Sequence, residues 1–301
     1  MNKRKMTRKF LLLGITIGYG LLANAQGEMD MLDELGDDPA QTEYATASYK
    51  SSRIINSISL ENTAEGVLDL RISHRFGTIN SGADEFFGLD NANTRIGFDY
   101  GLKPWLMIGV GRSTFEKAYD GFFKAKILKQ SSGAQNMPVS LQFFSSVMIN
   151  SLKAANPAQD LFTSRMGYTF QILVGRKFSK NTTIQFMPTL VHRNFVETQA
   201  EKNDVFLVGI GGRQKFSSRA AITYEFHYVL PNQLAPQYVN YSFSVGVDIE
   251  TGGHVFQLFL TNSAGMNEQQ FLTQNTGDWA NGDIRIGFNI SRVFTVKKPK
   301  D

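Results

Sequence analysis

Glu225 and His227 stand two residues apart in a stretch whose other parity is Ile222, Tyr224, Phe226 and Tyr228. On a strand that spacing puts both polar side chains on one face. A carboxylate beside an imidazole can orient a general base, and it equally makes a hydrogen bond inside a polar interior. The other histidines, His74, His192 and His254, fall on separate segments, and no Gly-x-Ser-x-Gly or comparable signature supplies a nucleophile. A barrel enzyme acting on envelope lipid or peptide is therefore the remote reading, and no catalytic residue is assigned.

The larger set of charges is basic. Arg71 and Arg75 share a parity with Asp69, Arg95 shares one with Asp99, and Lys124 and Lys126 form a third inward pair. Two later segments add Asp248 and Arg285 to this inward set. Two chemistries compete for this set. The charges line an aqueous path and bias it toward anionic solutes, as charged rings do in pores, or they pair across strands and fill a narrow interior. Opposite charges on neighbouring segments favour the filled interior. Arg285, on the last segment, is expected near Asp69 on the first if the sheet closes.

Other candidate sites are weak. Asp84, Glu85, Asp90, Asn91 and Asn93 offer oxygen ligands, but their spacing departs from that of a calcium loop of the EF-hand type. Gly109 and Gly111, and again Gly209, Gly211 and Gly212, precede no helix, so they are not phosphate loops. They are expected to make room or curvature within strands. No metal or cofactor is predicted.

These residues must be positioned by strands. Tyr241, Phe243, Val245, Val247 and Ile249 alternate with Ser242, Ser244, Gly246 and Asp248, and the same pattern recurs along the chain. It predicts about twelve strands, near 66–76, 94–102, 105–113, 118–130, 136–149, 164–178, 182–193, 204–216, 219–229, 239–249, 254–261 and 283–296. Connections on one side are short: Lys103-Pro104, 131–135, 179–181, Ser217-Ser218 and 251–253. On the other they are long: 77–93, 150–163, 194–203, 230–238 and 262–282, with 114–117 the one short exception. Short periplasmic turns alternating with longer external loops, and an even strand number, are the order of an outer-membrane barrel. The predicted fold is all-β: a closed antiparallel transmembrane β-barrel. Aromatics near strand ends (Tyr100, Trp105, Tyr119, Phe178, Phe216, Tyr228, Tyr238 and Phe294) fit interfacial girdles.

The ends of the chain carry addresses. Lys3, Arg4, Lys5, Arg8 and Lys9 precede an apolar run and the small-x-small site Ala23-Asn24-Ala25, which predicts a signal peptide over 1–25, cleaved before Gln26. Without those five cations the chain holds 26 basic and 27 acidic residues, so the net charge of +4 is no sign of nucleic-acid binding. There is no cysteine, hence neither a disulfide nor a lipoprotein anchor site. Residues 26–65 open acidic and do not alternate. They read as a solvated periplasmic tail, a docking peptide for a periplasmic protein partner, or a lumen plug in which Ile54, Ile55, Ile58 and Leu60 take part. Residues 66–296 are the barrel and 297–301 a basic tail.

Several motifs recur in a known order: Ile54-Ile55-Asn56-Ser57, Gly66-Val67-Leu68, His74-Arg75-Phe76-Gly77, Ser81-Gly82 and Phe86-Phe87-Gly88-Leu89-Asp90. Asp99-Tyr100-Gly101, Gly109-Val110-Gly111-Arg112-Ser113 and Lys124-Ala125-Lys126 follow. This order resembles a family of membrane-bound β-barrel proteins of unknown function from Bacteroidetes-type bacteria. The resemblance implies an outer-membrane barrel and brings no catalytic or ligand residues. The terminal amphipathic strand ending in Phe294 is similar to the recognition signal of the outer-membrane barrel assembly machinery, an expected partner along with outer-membrane lipid. The functional expectation is a narrow channel or transport-related pore for small or anionic solutes. The alternative is a non-conducting scaffold that docks a periplasmic partner through its acidic segment.

Overall fold

A computed structural model of the 301-residue chain describes residues 41–153, 160–196, 198–199 and 201–297. The expected signal peptide, the acidic residues 26–40 and the tail residues 298–301 lie outside the described residues.

Twelve strands form one closed antiparallel barrel. They are β1 (Val67–Thr78), β2 (Ala92–Lys103), β3 (Leu106–Ser113), β4 (Tyr119–Leu128), β5 (Ser140–Ile149) and β6 (Met166–Lys177). They continue as β7 (Thr182–Arg193), β8 (Asp204–Lys215), β9 (Ala220–Val229), β10 (Phe243–Thr251), β11 (His254–Thr261) and β12 (Arg285–Thr295). Each strand pairs with the next, and β12 closes on β1 with Ile290 opposite Ile72 and Val293 opposite Asp69. Closure leaves no unpaired edge, which a sheet in hydrocarbon requires.

Burial runs opposite to that of a soluble domain. Ile96, Phe98, Val110, Phe123, Phe186 and Ile210 are exposed on the outer face, while Arg71, Arg75, Arg95 and Lys124 are fully buried within. Apolar side chains in lipid and polar ones inside are what a membrane barrel stabilises. Of the expected girdle aromatics, Trp105, Tyr119, Phe178, Phe216, Tyr228 and Phe294 are exposed. Tyr238 instead packs on an apolar cluster under the long loops.

The tenth strand begins four residues later than its alternation suggests. Pro236–Tyr238 forms a short helical turn, and the Asn262 side chain bonds the backbone of Tyr241 and Phe243 in place of a ladder partner. The tight turn 251–253 relies on Gly252 (φ 36°) and Gly253 (φ 144°), backbone that favours glycine. The long connection after β11 is not a simple loop: it contains α1 (Glu268–Thr273), capped by the Asn267 side chain accepting from Gln270 N. One six-residue turn of helix is too short to show a helical period in sequence.

Candidate functional site

The lumen is entered from both ends by the chain itself. From the short-turn end comes the segment before β1. Glu43–Tyr44 pairs with Ser131–Ser132 at one short turn, and Lys50 meets Glu250 at 2.7 Å beside another. The segment then dips inward as a tight hairpin. Arg53 bridges Ile58, Ser59 N donates to Ser52 O, and Ile54 N donates to Ser57 O. From the long-loop end comes α1, buried along its whole length. The two meet where Arg53 Nη1 lies 2.6 Å from Glu268 Oε1, with both side chains almost fully buried.

A loop placed inside a barrel loses water, so its backbone groups need partners from the wall. The wall supplies them. Glu225 accepts from Asn56 N (2.9 Å), Asn56 Nδ2 (2.8 Å), Ser57 N (3.0 Å) and Ile55 N (3.3 Å). Successive backbone N–H groups converging on one anion form a nest, here with the roles reversed: the loop is the nest and the wall is the anion. The carbonyls are taken by amides. Gln257 donates to Ile54 O, Asn289 to Ile55 O, Gln185 to Ile58 O and Gln142 to Leu60 O. Lys124 Nζ donates to the carbonyls of Ser59 and Glu61. On the apolar side, Ile54, Ile58 and Leu60 pack with Met107, Phe122, Phe144, Leu173 and Met187. Gly211 makes room for this: a Cβ there would run into the Ile54 side chain.

The sequence-derived charges all have places in this arrangement. Arg71 lies 3.4 Å from Asp69 and donates to Ser51 and Ser52 on the hairpin. Asp99 sits opposite Asp69 and accepts from Ser52 Oγ at 2.7 Å. Arg75 donates to Asn56 Oδ1 (2.8 Å) and Asn289 Oδ1 (3.1 Å), and its guanidinium lies over the Phe259 ring. Arg95 pairs with Asp120 through both carboxylate oxygens, a bidentate fork. Asp248 accepts from Thr223 and Gln257. Lys126 is half-buried opposite Gln142, nearer the short turns. The basic residues Arg71, Arg75 and Lys124 therefore face the hairpin's hydroxyls, amide and carbonyls.

One expectation is corrected. Arg285 is not near Asp69. Antiparallel closure places the start of β12 beside the end of β1, so Arg285 pairs with Thr78 and donates to Phe76 O at the long-loop rim. Its position there follows from strand direction alone.

Ser57 Oγ lies 3.0 Å from His227 Nε2, within reach for proton transfer. Glu225, however, spends its oxygens on the hairpin backbone, His227 Nδ1 has no hydrogen-bond partner among the described residues, and both Ser57 and His227 are fully buried. An ordered base with substrate access is not what this pair forms.

Asp120, Arg53, Glu268 and the amide row Gln142, Gln185, Gln257 and Asn289 are functional in this sense, and the sequence pattern does not single them out. The amides share the inward parity of their strands, and that was the available signal. Glu268 gave none, because its partner lies 215 residues away.

At the long-loop end the lumen widens into a vestibule of about 520 Å³. Its lining includes Glu116, Lys153, Arg165, Arg193, Glu201 and Arg285, with Gln269 and Gln274 reaching it from α1 and its end. Arg193 lies 3.1 Å from Glu201, and Gln270 ties α1 to Glu116 at 3.1 Å.

Among solved structures, a NanC porin aligns at a TM-score of 0.48 with 8% identity, over 76% of this chain and 98% of that one. A KdgM porin aligns at 0.46 with 10% identity, over 76% and 99%. The outer membrane protein Omp33 of Acinetobacter baumannii aligns at 0.38 with 10% identity, over 76% and 99%. These likenesses are too distant to bear on function. No curated protein matches the chain. The family pattern described as Membrane bound beta barrel domain (DUF5777) matches residues 49–294, taking in the inserted hairpin together with the strands that hold it. The chain belongs to that family of membrane-bound β-barrels.

Proposed function

We propose that this protein is an outer-membrane β-barrel of transport-related function whose lumen is closed at rest by its own chain. The observation that supports this reading most is Glu225, a buried lumen carboxylate whose four hydrogen bonds all go to the hairpin. A carboxylate in a water-filled pore would be solvated instead. Passage of a solute then requires the hairpin to leave and α1, tied to it through Arg53 and Glu268, to move with it, and small or anionic solutes suit the charges they would uncover.

A second reading, the non-conducting scaffold, is favoured by one observation: the hairpin's apolar residues pack into a mixed apolar core with the wall. Displacing them exposes that surface, at a cost of about 25 cal/mol for each Å². On this reading the acidic residues that precede the hairpin dock a periplasmic protein partner.

Planar-bilayer conductance separates the two. The refolded full chain is silent on either reading. A Glu225→Ala variant, or a chain trimmed of residues 45–63, conducts on the first reading and stays silent on the second while still showing heat-modifiable migration.

A further inference from the structure

We infer that the vestibule at the long-loop end is a binding site for a small organic carboxylate. The inference rests on the transport-related reading above and names the ligand class and its site.

Shape comes first. The vestibule holds about 520 Å³, within the range of small-molecule sites. Its inner end is closed at rest: α1 is buried beneath it, with Phe271 and Leu272 packed on Val191, Leu207 and Val229. A solute entering from outside stops there.

Charge comes second. The lining holds four cations (Lys153, Arg165, Arg193 and Arg285) against two carboxylates, Glu116 and Glu201. Glu201 is committed to Arg193 at 3.1 Å, and Arg165 to Asp160 at 3.4 Å. Glu116 accepts from Gln270, and burial pushes its carboxyl above the ordinary range, which favours the neutral form. Arg285 gives Nη1 to a backbone carbonyl, and its buried Nε has no hydrogen-bond partner among the described residues. The same holds for Arg193 Nε. The net positive charge of the site thus rests on Lys153 and Arg285, and a guanidinium suits a planar carboxylate.

Polar recognition comes third. Asn150, Asn262, Gln269 and Gln274 line the same space. An amide lining beside the cations suits a ligand that carries hydroxyls as well as its carboxylate. Phe115, Phe195 and Tyr238 complete the wall with apolar and ring surface.

The test is calorimetric titration of the refolded full chain in detergent with sodium gluconate. Glucitol, which has the hydroxyls but lacks the carboxylate, and inorganic phosphate serve as comparisons. Saturable gluconate binding is expected, with glucitol and phosphate weaker. Arg285→Gln should weaken gluconate by roughly tenfold or more, the loss of one charge-assisted contact. Lys153→Gln, an exposed position, serves should Arg285→Gln fail to fold, and should weaken gluconate without altering heat-modifiable migration. No saturable gluconate binding, equal binding of glucitol, or binding unchanged in Lys153→Gln and in a folded Arg285→Gln overturns the assignment. Conductance of Glu225→Ala without gluconate binding overturns the site alone. Gluconate binding with a silent Glu225→Ala keeps the site and overturns the pore.

Discussion

Arg53 Nη1 and Glu268 Oε1 lie 2.6 Å apart inside the lumen, one on the hairpin from the short-turn end and the other on the helix from the long-loop end. Arg53 also gives Nη1 to Asn56 O at 2.6 Å, so the pair ties the helix to the turn of the hairpin. The two inserted elements are thereby one mechanical unit. Movement of the connection after β11 should therefore reach the hairpin through this buried contact.

Removing one partner of a buried ion pair leaves the other uncompensated, at a cost of about 3–5 kcal/mol, whereas replacing both by apolar groups costs far less. Arg53→Met and Glu268→Met should each destabilise the inserted unit by about that amount. The double variant should recover most of the loss. Denaturant unfolding of the refolded barrel with local hydrogen exchange over 268–273 measures the cycle. Additive single effects would show that the two groups do not act together.

Glu225→Ala should leave the strand ladder intact and free the hairpin. Each buried N–H left without an acceptor costs about 1–3 kcal/mol. Amide exchange at Ile55, Asn56 and Ser57 should therefore accelerate by roughly 30-fold or more, about 2 kcal/mol, while exchange in β8 and β9 changes little. Equal loss of protection in both would mean that Glu225 supports the barrel rather than the loop.

The outer face makes its own prediction. Ile210 is 45% exposed and points away from the lumen beside Gly209 and Gly211, which face in. Ile210→Arg should cost about 2–4 kcal/mol of stability in a bilayer if the position lies near the midplane. Unfolding in phospholipid vesicles measures it. A variant as stable as the parent would place this face in water.

Acid should loosen the connection after β11 before it loosens the barrel. Asp283 accepts from Asp278 N at 3.0 Å and Asn80 Nδ2 at 2.7 Å, and these bonds hold its carboxyl below the ordinary range. A depressed carboxyl contributes stability that is present at neutral pH and lost as pH falls through its folded value. Exchange over 278–283, followed from pH 6 downward, should rise in the parent at the acid end. Asp283→Asn should show the raised exchange already at pH 6 and little further pH dependence.

Much of the fold was legible because a barrel strand repeats a two-residue period against a two-phase environment. Asp69, Arg71 and Arg75, Arg95 and Asp99, and Glu225 and His227 have the inward faces their parity requires. Pairing across the lumen was not legible. Parity gives a face but no depth, so it suggests Asp69 as the neighbour of Arg285, whereas strand direction sends Arg285 to the opposite rim. The partner of Arg95 is Asp120, one strand beyond its neighbour β3, where Gly111 leaves room for the guanidinium. Glu268 lay hidden in a polar connection too short to announce a helix.

That residues 48–64 occupy the lumen of a membrane barrel can be tested with one cysteine, because the chain has none of its own. Ser57 is fully buried against His227, and Ser57→Cys is a near-isosteric change. In vesicles the folded variant should resist a water-soluble maleimide for hours and react within minutes once heated to the unfolded form, while a cysteine at exposed Phe86 reacts at once in both. Rapid labelling at position 57 in the folded, heat-modifiable protein would mean that the hairpin lies outside and the lumen is open.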